Sequence, residues 1–303
     1  MSSTEQPPRI AFLVVNYFSH TGVDQLLTSL TSNSNHRVTV SIVDNSNDPQ
    51  EFADLERVVS NHRKMADIQS HPADENLGYA AGNNLAFENL SQDFDFIAVV
   101  NPDVKIVSGD LADAIHTSGS DSTRSIFVPT TEEGLRRLSG TSAIKIWNGK
   151  SRKLEEGEKS ARNELVYPDG HFLVLPMSMW RQLNGLNETY FLYCEEIDFT
   201  LRAMQAHDLK IKTLPNVTIQ HVGGMTTGSE TMKSLVTLHH SNRSRLITYR
   251  AHASLRRYVP SLVATRLAYA VFLGIRAQFS PMRAVISGLR AGATAYVPRK
   301  KTD

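Results

Sequence analysis

Apolar and polar positions along this chain follow two rhythms, one of strands and one of helices. Ile10–Asn16 (IAFLVVN) is an unbroken apolar run, as expected of a strand covered on both faces. Gly22 to Leu30 then sets Val23, Leu26, Leu27 and Leu30 at helical spacing. Val38–Val43 reads as a second strand, and turn chemistry begins at Asp44-Asn45-Ser46. Phe52 to Val59 predicts a helix, Met65–Gln69 a short strand, and the small residues of Gly78 to Leu90 another helix. Phe94–Val100 is a third strong apolar run that stops at Asn101-Pro102-Asp103. This alternation predicts an α/β fold, a doubly wound sheet with right-handed crossovers. Ligands on such sheets sit beyond the carboxyl ends of the strands, where Asn16, Asp44 and Asp103 all fall.

Residues 108–165 mix Ser/Thr/Gly-rich and Lys/Glu-rich patches and predict loops, a helix near Leu111–Ile115 and scattered strands. Phe172–Leu175 is another apolar run, with a helix expected from about Ser178. Ile197, Leu201 and Met204 predict a helix from Glu195 to Ala206, and Leu209–Thr213 and Val217–Ile219 two short strands. Beyond about Met225 the pattern turns helical and basic. Ser280 is placed to cap a last helix, with Pro281 in its first turn and Arg283 and Arg290 on one face. No internal repeat is apparent.

Charge sharpens this division. The net charge of +1 conceals +12 from Thr231 onward and −11 before it. Such a split suggests an acidic enzymatic body and a basic tail that meets something anionic, or else a tail that is simply solvated. The single cysteine, Cys194, excludes an internal disulfide and fits a reducing compartment. The polar start, Met1 to Pro8, shows no secretory signal. The stretch Val259 to Ile275 is interrupted by Arg266 and is too short for a clean membrane span. A cytoplasmic protein is the expectation.

Candidate chemistry is narrowed first by what is missing. No G-x-G-x-x-G follows the first strand and no G-x-x-x-x-G-K-[ST] occurs, which removes support from dinucleotide and P-loop readings. Asp103, stiffened by Pro102, suits a hard cation beneath a diphosphate, or a plain cap for the next segment. Glu195, Glu196 and Asp198 in FLYCEEIDFTLR are either a charged first turn or the source of a general base; on a helix 195 and 198 share a face and 196 points elsewhere. His221, before Val222-Gly223-Gly224, is a structural histidine or a metal ligand.

Together these segments are more specific than any one of them. IAFLVVNYF, VSIVDNSND, ENLGYAAGNN, VVNPDV, PDGHFLVLP, FLYCEEIDFTLR and HVGG occur in the order found in family 2 glycosyltransferases. Over about Arg9 to Gly228 the chain resembles that family, especially its bacterial rhamnosyltransferase-like branch. The resemblance implies a GT-A (Rossmann-like) fold, a mixed but mainly parallel sheet flanked by helices. Residues 1–228 would be the catalytic domain and 229–303 a basic helical C-terminal extension.

The resemblance also assigns roles. Asn16, Tyr17 and Asp44 would line the nucleotide-base pocket, with Asp44 accepting from the imide N–H of uracil or thymine. Asn76, Gly78 and Asn83 would flank the donor. Asn101-Pro102-Asp103 stands at the family's D-x-D motif, leaving Asp103 as the metal ligand and Asn101 as a neutral hydrogen-bonding group. His221 would be the second ligand for Mg²⁺ or Mn²⁺. Glu196 falls on the position usually filled by an Asp base, and Glu195 or Asp198 could share or replace it. Asp169 and Gly170 would lie near the acceptor or diphosphate.

An inverting, metal-dependent transfer of a sugar to a glycan or lipid-linked acceptor follows, in cell-surface polysaccharide synthesis. dTDP-rhamnose is the first choice of donor and UDP-galactofuranose or another UDP-hexose the next. The rivals are a nucleotide-sugar-binding protein without catalysis and a nucleotidyltransferase. No nucleic-acid partner is expected, given the acidic body. The tail, residues 231–303, could meet an anionic membrane on the cytoplasmic face of the inner membrane, pack on the body, or form an oligomer contact.

Overall fold

The computed structural model describes residues 6–119, 122–221 and 234–297. The first four strands, β1 (Ile10–Asn16), β2 (Val38–Asp44), β3 (Ala66–Pro72) and β4 (Phe96–Val100), run parallel in the spatial order β3-β2-β1-β4. Seven more follow: β5 (Val104–Ser108), β6 (Ser125–Glu133), β7 (Arg136–Lys145), β8 (Ser151–Glu155), β9 (Glu164–Pro168), β10 (Phe172–Pro176) and β11 (Lys210–His221). Outward from β4 the sheet continues as β10, β6, β11 and β5, while β7 pairs with β6, β8 and β9. Antiparallel pairing of β10 with β4 and of β5 with β11 makes the sheet mixed.

Why β1 is apolar as far as Val15 is now plain. Ile10, Phe12 and Val14 enter one apolar core, and Ala11 and Leu13 enter another on the opposite face. Both faces are covered, so both sets must be apolar. Helices α1 (His20–Ser32), α2 (Pro49–His62), α3 (Gly78–Glu88), α4 (Leu111–Thr117), α5 (Met177–Gln182) and α6 (Glu195–Ala206) flank the sheet. Val23, Leu26, Leu27 and Leu30 of α1 are all buried, as their spacing requires.

Three sequence expectations change. The two short strands expected between Leu209 and Ile219 are one strand, β11, whose pairing shifts register between Leu214 and Thr218. Residues 108–165, expected as loops, a helix near Leu111–Ile115 and scattered strands, carry that helix as α4, but the rest is more ordered than expected: β6–β9 are held by pairing and by side-chain contacts that a strand supplies to its neighbour. Ser280 is not a cap: the last helix begins one residue earlier, at Phe279. The boundary expected between residues 228 and 229, and the onset of the tail near Met225, lie outside the described residues.

The tail consists of α7 (Leu235–Ala251), α8 (Ala253–Arg256), α9 (Val259–Ile275) and α10 (Phe279–Thr294). It packs on the body. Leu246, Ile247, Tyr249 and Leu262 share a core with Ile144, Tyr167, Cys194 and Ile197. Its basic side chains serve carbonyl groups: Arg243 donates to the Thr189 carbonyl at 2.8 Å and Arg250 to those of Gly292 and Ala295. No described helix is long and apolar enough to cross a membrane.

One buried carboxylate ties the layers together. Asp198 of α6 accepts from Arg202 Nε at 2.7 Å and Tyr190 O–H at 3.4 Å, and lies 2.9 Å from His252 Nε2 in the tail. Arg202 in turn donates to the carbonyls of Leu183 and Gly185. Burial would push the Asp198 carboxyl up, but His252 and Arg202 hold it below its usual range. Breaking such a buried cluster leaves uncompensated charge. Asp198→Asn should therefore lower unfolding stability by about 3 kcal/mol in a urea melt, whereas Glu188→Gln, on the surface, should change it by under ~0.5 kcal/mol.

Candidate active site

At the carboxyl end of β1 and β2, register places Asn16 directly beside Asp44. Asn16 Nδ2 donates to Asp44 Oδ1 and to Glu51 Oε1, both at 2.9 Å. Ser46 O–H donates to Asp44 Oδ2 at 2.7 Å, and His20 bonds Glu51 through its ring nitrogen and its backbone N–H. Burial would push Glu51 up, but Asn16 and His20 keep it below its usual range. Asn16 and Asp44 are thus buried and held in place together with Glu51, a residue that the sequence pattern did not single out. Tyr17 and Phe18 stand exposed above them, edge to face at 4.9 Å.

The next strand end carries Asn101-Pro102-Asp103. Gly22 of α1 sits against it: a Cβ there would meet the Pro102 carbonyl at 2.9 Å. Only glycine lets the helix approach so closely. Asp103 lies 118 residues from His221 in sequence, yet its neighbour Val104 is the cross-strand partner of His221 in the β5–β11 pairing. Asp103 Oδ1 and His221 Nε2 consequently stand 3.2 Å apart. That oxygen is buried and makes no hydrogen bond among the described residues. A hard oxygen and an imidazole nitrogen converging on one point, with the oxygen otherwise unused, suit a divalent cation.

His171, which the sequence reading did not single out, stacks on His221 with ring centroids 4.4 Å apart and bonds Thr131 Oγ1. Burial, then the charges of His221 and Lys153, drive its pKa well below the usual value, so it serves as a neutral platform. Asn101 Oδ1 is likewise buried without a described partner, while its backbone N–H donates to the His171 carbonyl.

Beside this pair lies a carboxyl cluster. An added Cβ on Gly170 would be 3.6 Å from Glu196 Cδ and Oε2, which sets that carboxyl directly over Gly170. Asp169 next to it accepts from Ser142 O–H. Burial raises the Asp169 pKa. Glu196, half-buried, is pushed to about 7 by burial and by Asp169, although its hydrogen bond with Glu195 and the charge of Arg245 oppose the rise. Glu195 is more deeply buried and stands well above the usual range, through burial and then its neighbour Glu196.

Tyr79 joins the parts. Its O–H donates to the Gly170 carbonyl at 2.9 Å, and burial plus the charges of Glu195, Glu196 and Asp103 raise its pKa far above 10. The segment that aims the carboxyls is strained: Tyr193 and Cys194 have φ of 71° and 69°, in the left-handed region that residues with a Cβ rarely adopt.

Three expected site residues have hydrogen-bond partners within the protein. Asp198, considered as a base, is committed to Arg202 and His252. Asn76 accepts from the Gly78 backbone N–H, and Asn83 donates to the Tyr79 carbonyl, so both shape α3. Gly78, at φ +80°, allows Tyr79 N–H to reach the Phe191 carbonyl at 2.8 Å, where a Cβ would stand 2.4 Å from that oxygen. A separate trio, His36, Asp110 and Asp113, has ligand atoms within 4.8 Å of one another. It is remote in the fold, at the opposite end of β2, where Asp110 caps α4.

No protein-family model matches the chain. It is 26% identical, over 209 residues, to a low-salt glycan biosynthesis hexosyltransferase, Agl10, of Haloferax volcanii; the match takes in 64% of this chain and 61% of that one. The chain thus spans about three fifths of the length of the curated relative it matches. Among solved structures, the mannosyltransferase PcManGT of Pyrobaculum calidifontis, in complex with GDP-Man and Mn²⁺, superposes with a TM-score of 0.58 at 12% identity, covering 95% of this chain and 88% of that one. TarS of S. aureus, residues 1–349 with UDP-GlcNAc, gives 0.56 at 14% identity over 96% and 82%. GalNAc-T7 with UDP, GalNAc and Mn²⁺ gives 0.61 at 10% identity over 82% and 48%. At such identities the likeness is one of fold, and the fold is GT-A: a mixed sheet flanked by helices, as in these glycosyltransferases.

Proposed function

We propose that this chain is an inverting glycosyltransferase that moves a hexosyl group from a nucleoside-diphosphate donor to an acceptor hydroxyl in glycan synthesis. The reading is carried by one juxtaposition: Asp103 and His221 converging on a point beside a Glu196 whose pKa sits near neutrality. The hexosyltransferase similarity and the GT-A fold support it. dTDP-rhamnose remains the preferred donor, with UDP-hexoses as the alternative.

The geometry supports the following roles. Tyr17 and Phe18 offer exposed rings to cover a base, and Asp44 Oδ2, with Ser46 as partner, retains a lone pair for an imide N–H. Asp103 and His221 are suited to hold Mg²⁺ or Mn²⁺, which when bound would neutralise charge on the diphosphate. Glu196 takes the proton of the acceptor hydroxyl as that oxygen attacks the anomeric carbon from the opposite side, giving inversion. Burial and the charge of Asp169 keep Glu196 basic enough for that task, because a negative charge nearby strengthens its hold on a proton. Tyr79 fixes the Gly170 backbone over which Glu196 lies.

Glu196→Gln should reduce sugar transfer by ~10²–10⁴-fold while leaving dTDP or UDP binding intact; transfer at the wild-type rate would remove Glu196 as the base. Glu196 also leaves a signature in stability. Its folded value of about 7 lies above the ordinary 4.5, so the folded chain holds the proton more tightly than the unfolded one. Stability is then lost as pH rises from 4.5 to about 7. In denaturant melts Glu196→Gln should therefore exceed the wild type at pH 8 by on the order of 1–3 kcal/mol, with the gap closing toward pH 5.

The transfer rate should climb with pH through about 7 as Glu196 ionises and then level off, and Asp169→Asn should move the rise to lower pH. For the cation, Asp103→Asn and His221→Ala should each weaken Mn²⁺ binding by at least ~10-fold in calorimetry, and chelation should abolish transfer.

A further inference from the structure

His221 lacks the support that usually orients an imidazole toward a cation. Such a ring is normally held by a hydrogen bond from its second nitrogen to a carboxylate, a carbonyl or water. Among the described residues Nδ1 of His221 makes no such bond, and the polar group its ring meets is Asp103 Oδ1, 3.2 Å from Nε2. Its backbone is loosely placed too. His221 is the last residue of β11, whose pairing shifts register with β6 between Leu214 and Thr218 and with β5 between Thr218 and Ile219. The outer torsion of a histidine side chain is broad and has no sharp preferred value. Strand pairing therefore leaves the plane of this ring open.

His171 supplies the missing constraint. Its ring stacks on that of His221 with centroids 4.4 Å apart and planes 5° from parallel. His171 is itself tied to the middle of the sheet. Its Nε2 is hydrogen-bonded, at 3.2 Å, to the hydroxyl of Thr131 on β6, a residue with no exposed surface. The His171 carbonyl accepts the Asn101 N–H at 2.9 Å, and the next residue, Phe172, pairs with Val100 of β4. One residue thus spans both limbs of the site: its backbone meets Asn101-Pro102-Asp103 and its ring meets His221. A ring nitrogen's lone pair lies in the plane of the ring, so a face-to-face contact leaves His221 Nε2 free toward Asp103 Oδ1. The stack orients without competing.

We propose that His171 is a positioning residue, which sets the plane of the His221 imidazole and thereby the strength of its bond to a cation. A flat ring at this place can do so, because parallel rings hold each other's orientation. A side chain that fills the space without a ring cannot. The role rests on the reading of Asp103 and His221 as a cation site, and the test separates the two.

The full chain is titrated with Mn²⁺ in the presence of dTDP, by calorimetry, as His171→Phe and His171→Leu, each alone and combined with His221→Ala. Both substitutions give up the Thr131 bond and both are apolar; they differ in the flat ring. His171→Phe should bind Mn²⁺ within ~3-fold of the wild type and His171→Leu at least ~10-fold more weakly, the loss usual when a ligand's support is removed. In the His221→Ala background His171→Leu should cost no further affinity, since residues that act through one another are not additive. Nitrogen coupling to the bound imidazole, read by electron spin echo on Mn²⁺, should persist in His171→Phe and fade in His171→Leu. Equal affinities of the Phe and Leu variants, or the same loss from His171→Leu with and without His221, would overturn the role. Should His171→Leu fail to fold, His171→Gln, which keeps a polar partner for Thr131 but has no ring, must show the same loss or the proposal falls. Mn²⁺ affinity unmoved by His221→Ala would remove the cation reading and this role with it. A fall in His221→Ala beside unchanged binding in His171→Leu would sink the positioning role alone.

Discussion

A carboxyl group deprived of water clings to its proton, and this molecule crowds Asp169, Glu195 and Glu196 into one place where water is scarce. Much of the surrounding architecture serves that crowding. The backbone enters α6 through two residues in left-handed conformation, a local cost borne by packing of Tyr193 and Cys194 into the third core. Gly170 presents no side chain, so the Glu196 carboxyl settles against bare backbone, and Tyr79 ties that backbone down. Glu196 alone keeps some access to solvent. A group that is poised near neutrality yet reachable is what proton transfer asks for.

The helical layer is part of this arrangement. Asp198, two residues beyond Glu196, is gripped by His252 from the tail and by Arg202 from its own helix, so α6 cannot rotate without disturbing both. Among the described residues of the tail, Arg243 and Arg250 bond carbonyls, Arg245 packs its stem against Gly149, and Arg257, Arg276, Arg283 and Arg290 stand exposed.

How far the sequence could be read depended on where each residue's partners lie. The parallel strands and α6 were legible because burial on both faces, or on one helical stripe, writes itself into local spacing. Asp103 and His221 stood out at the ends of apolar runs, and the family resemblance joined them as ligands of one cation. The strands of residues 125–168 were obscure because their stability comes from neighbours, and polar residues interrupt the apolar pattern of β7 and β8. Asp198 read as a first-turn acid or as a base sharing the role of Glu196, since nothing near it in sequence reveals His252, 54 residues away. Glu51, His171 and Gly22 were missed for the same reason. The one available sign was for Gly22, a glycine inside an otherwise good helical pattern, which implies a close backbone approach.

The irregularity in β11 has a wider bearing. Pairing with β6 jumps from Leu214 to Thr218, and pairing with β5 shifts once more between Thr218 and Ile219, before His221 settles opposite Val104. In a regular ladder, any residue gained or lost upstream would carry the imidazole to the wrong face. A slack segment of backbone ahead of the final residues absorbs such changes in length. The outer half of the strand is thereby free to drift over generations, growing or shrinking with whatever it packs against, while the last few positions stay in step with the aspartate across from them.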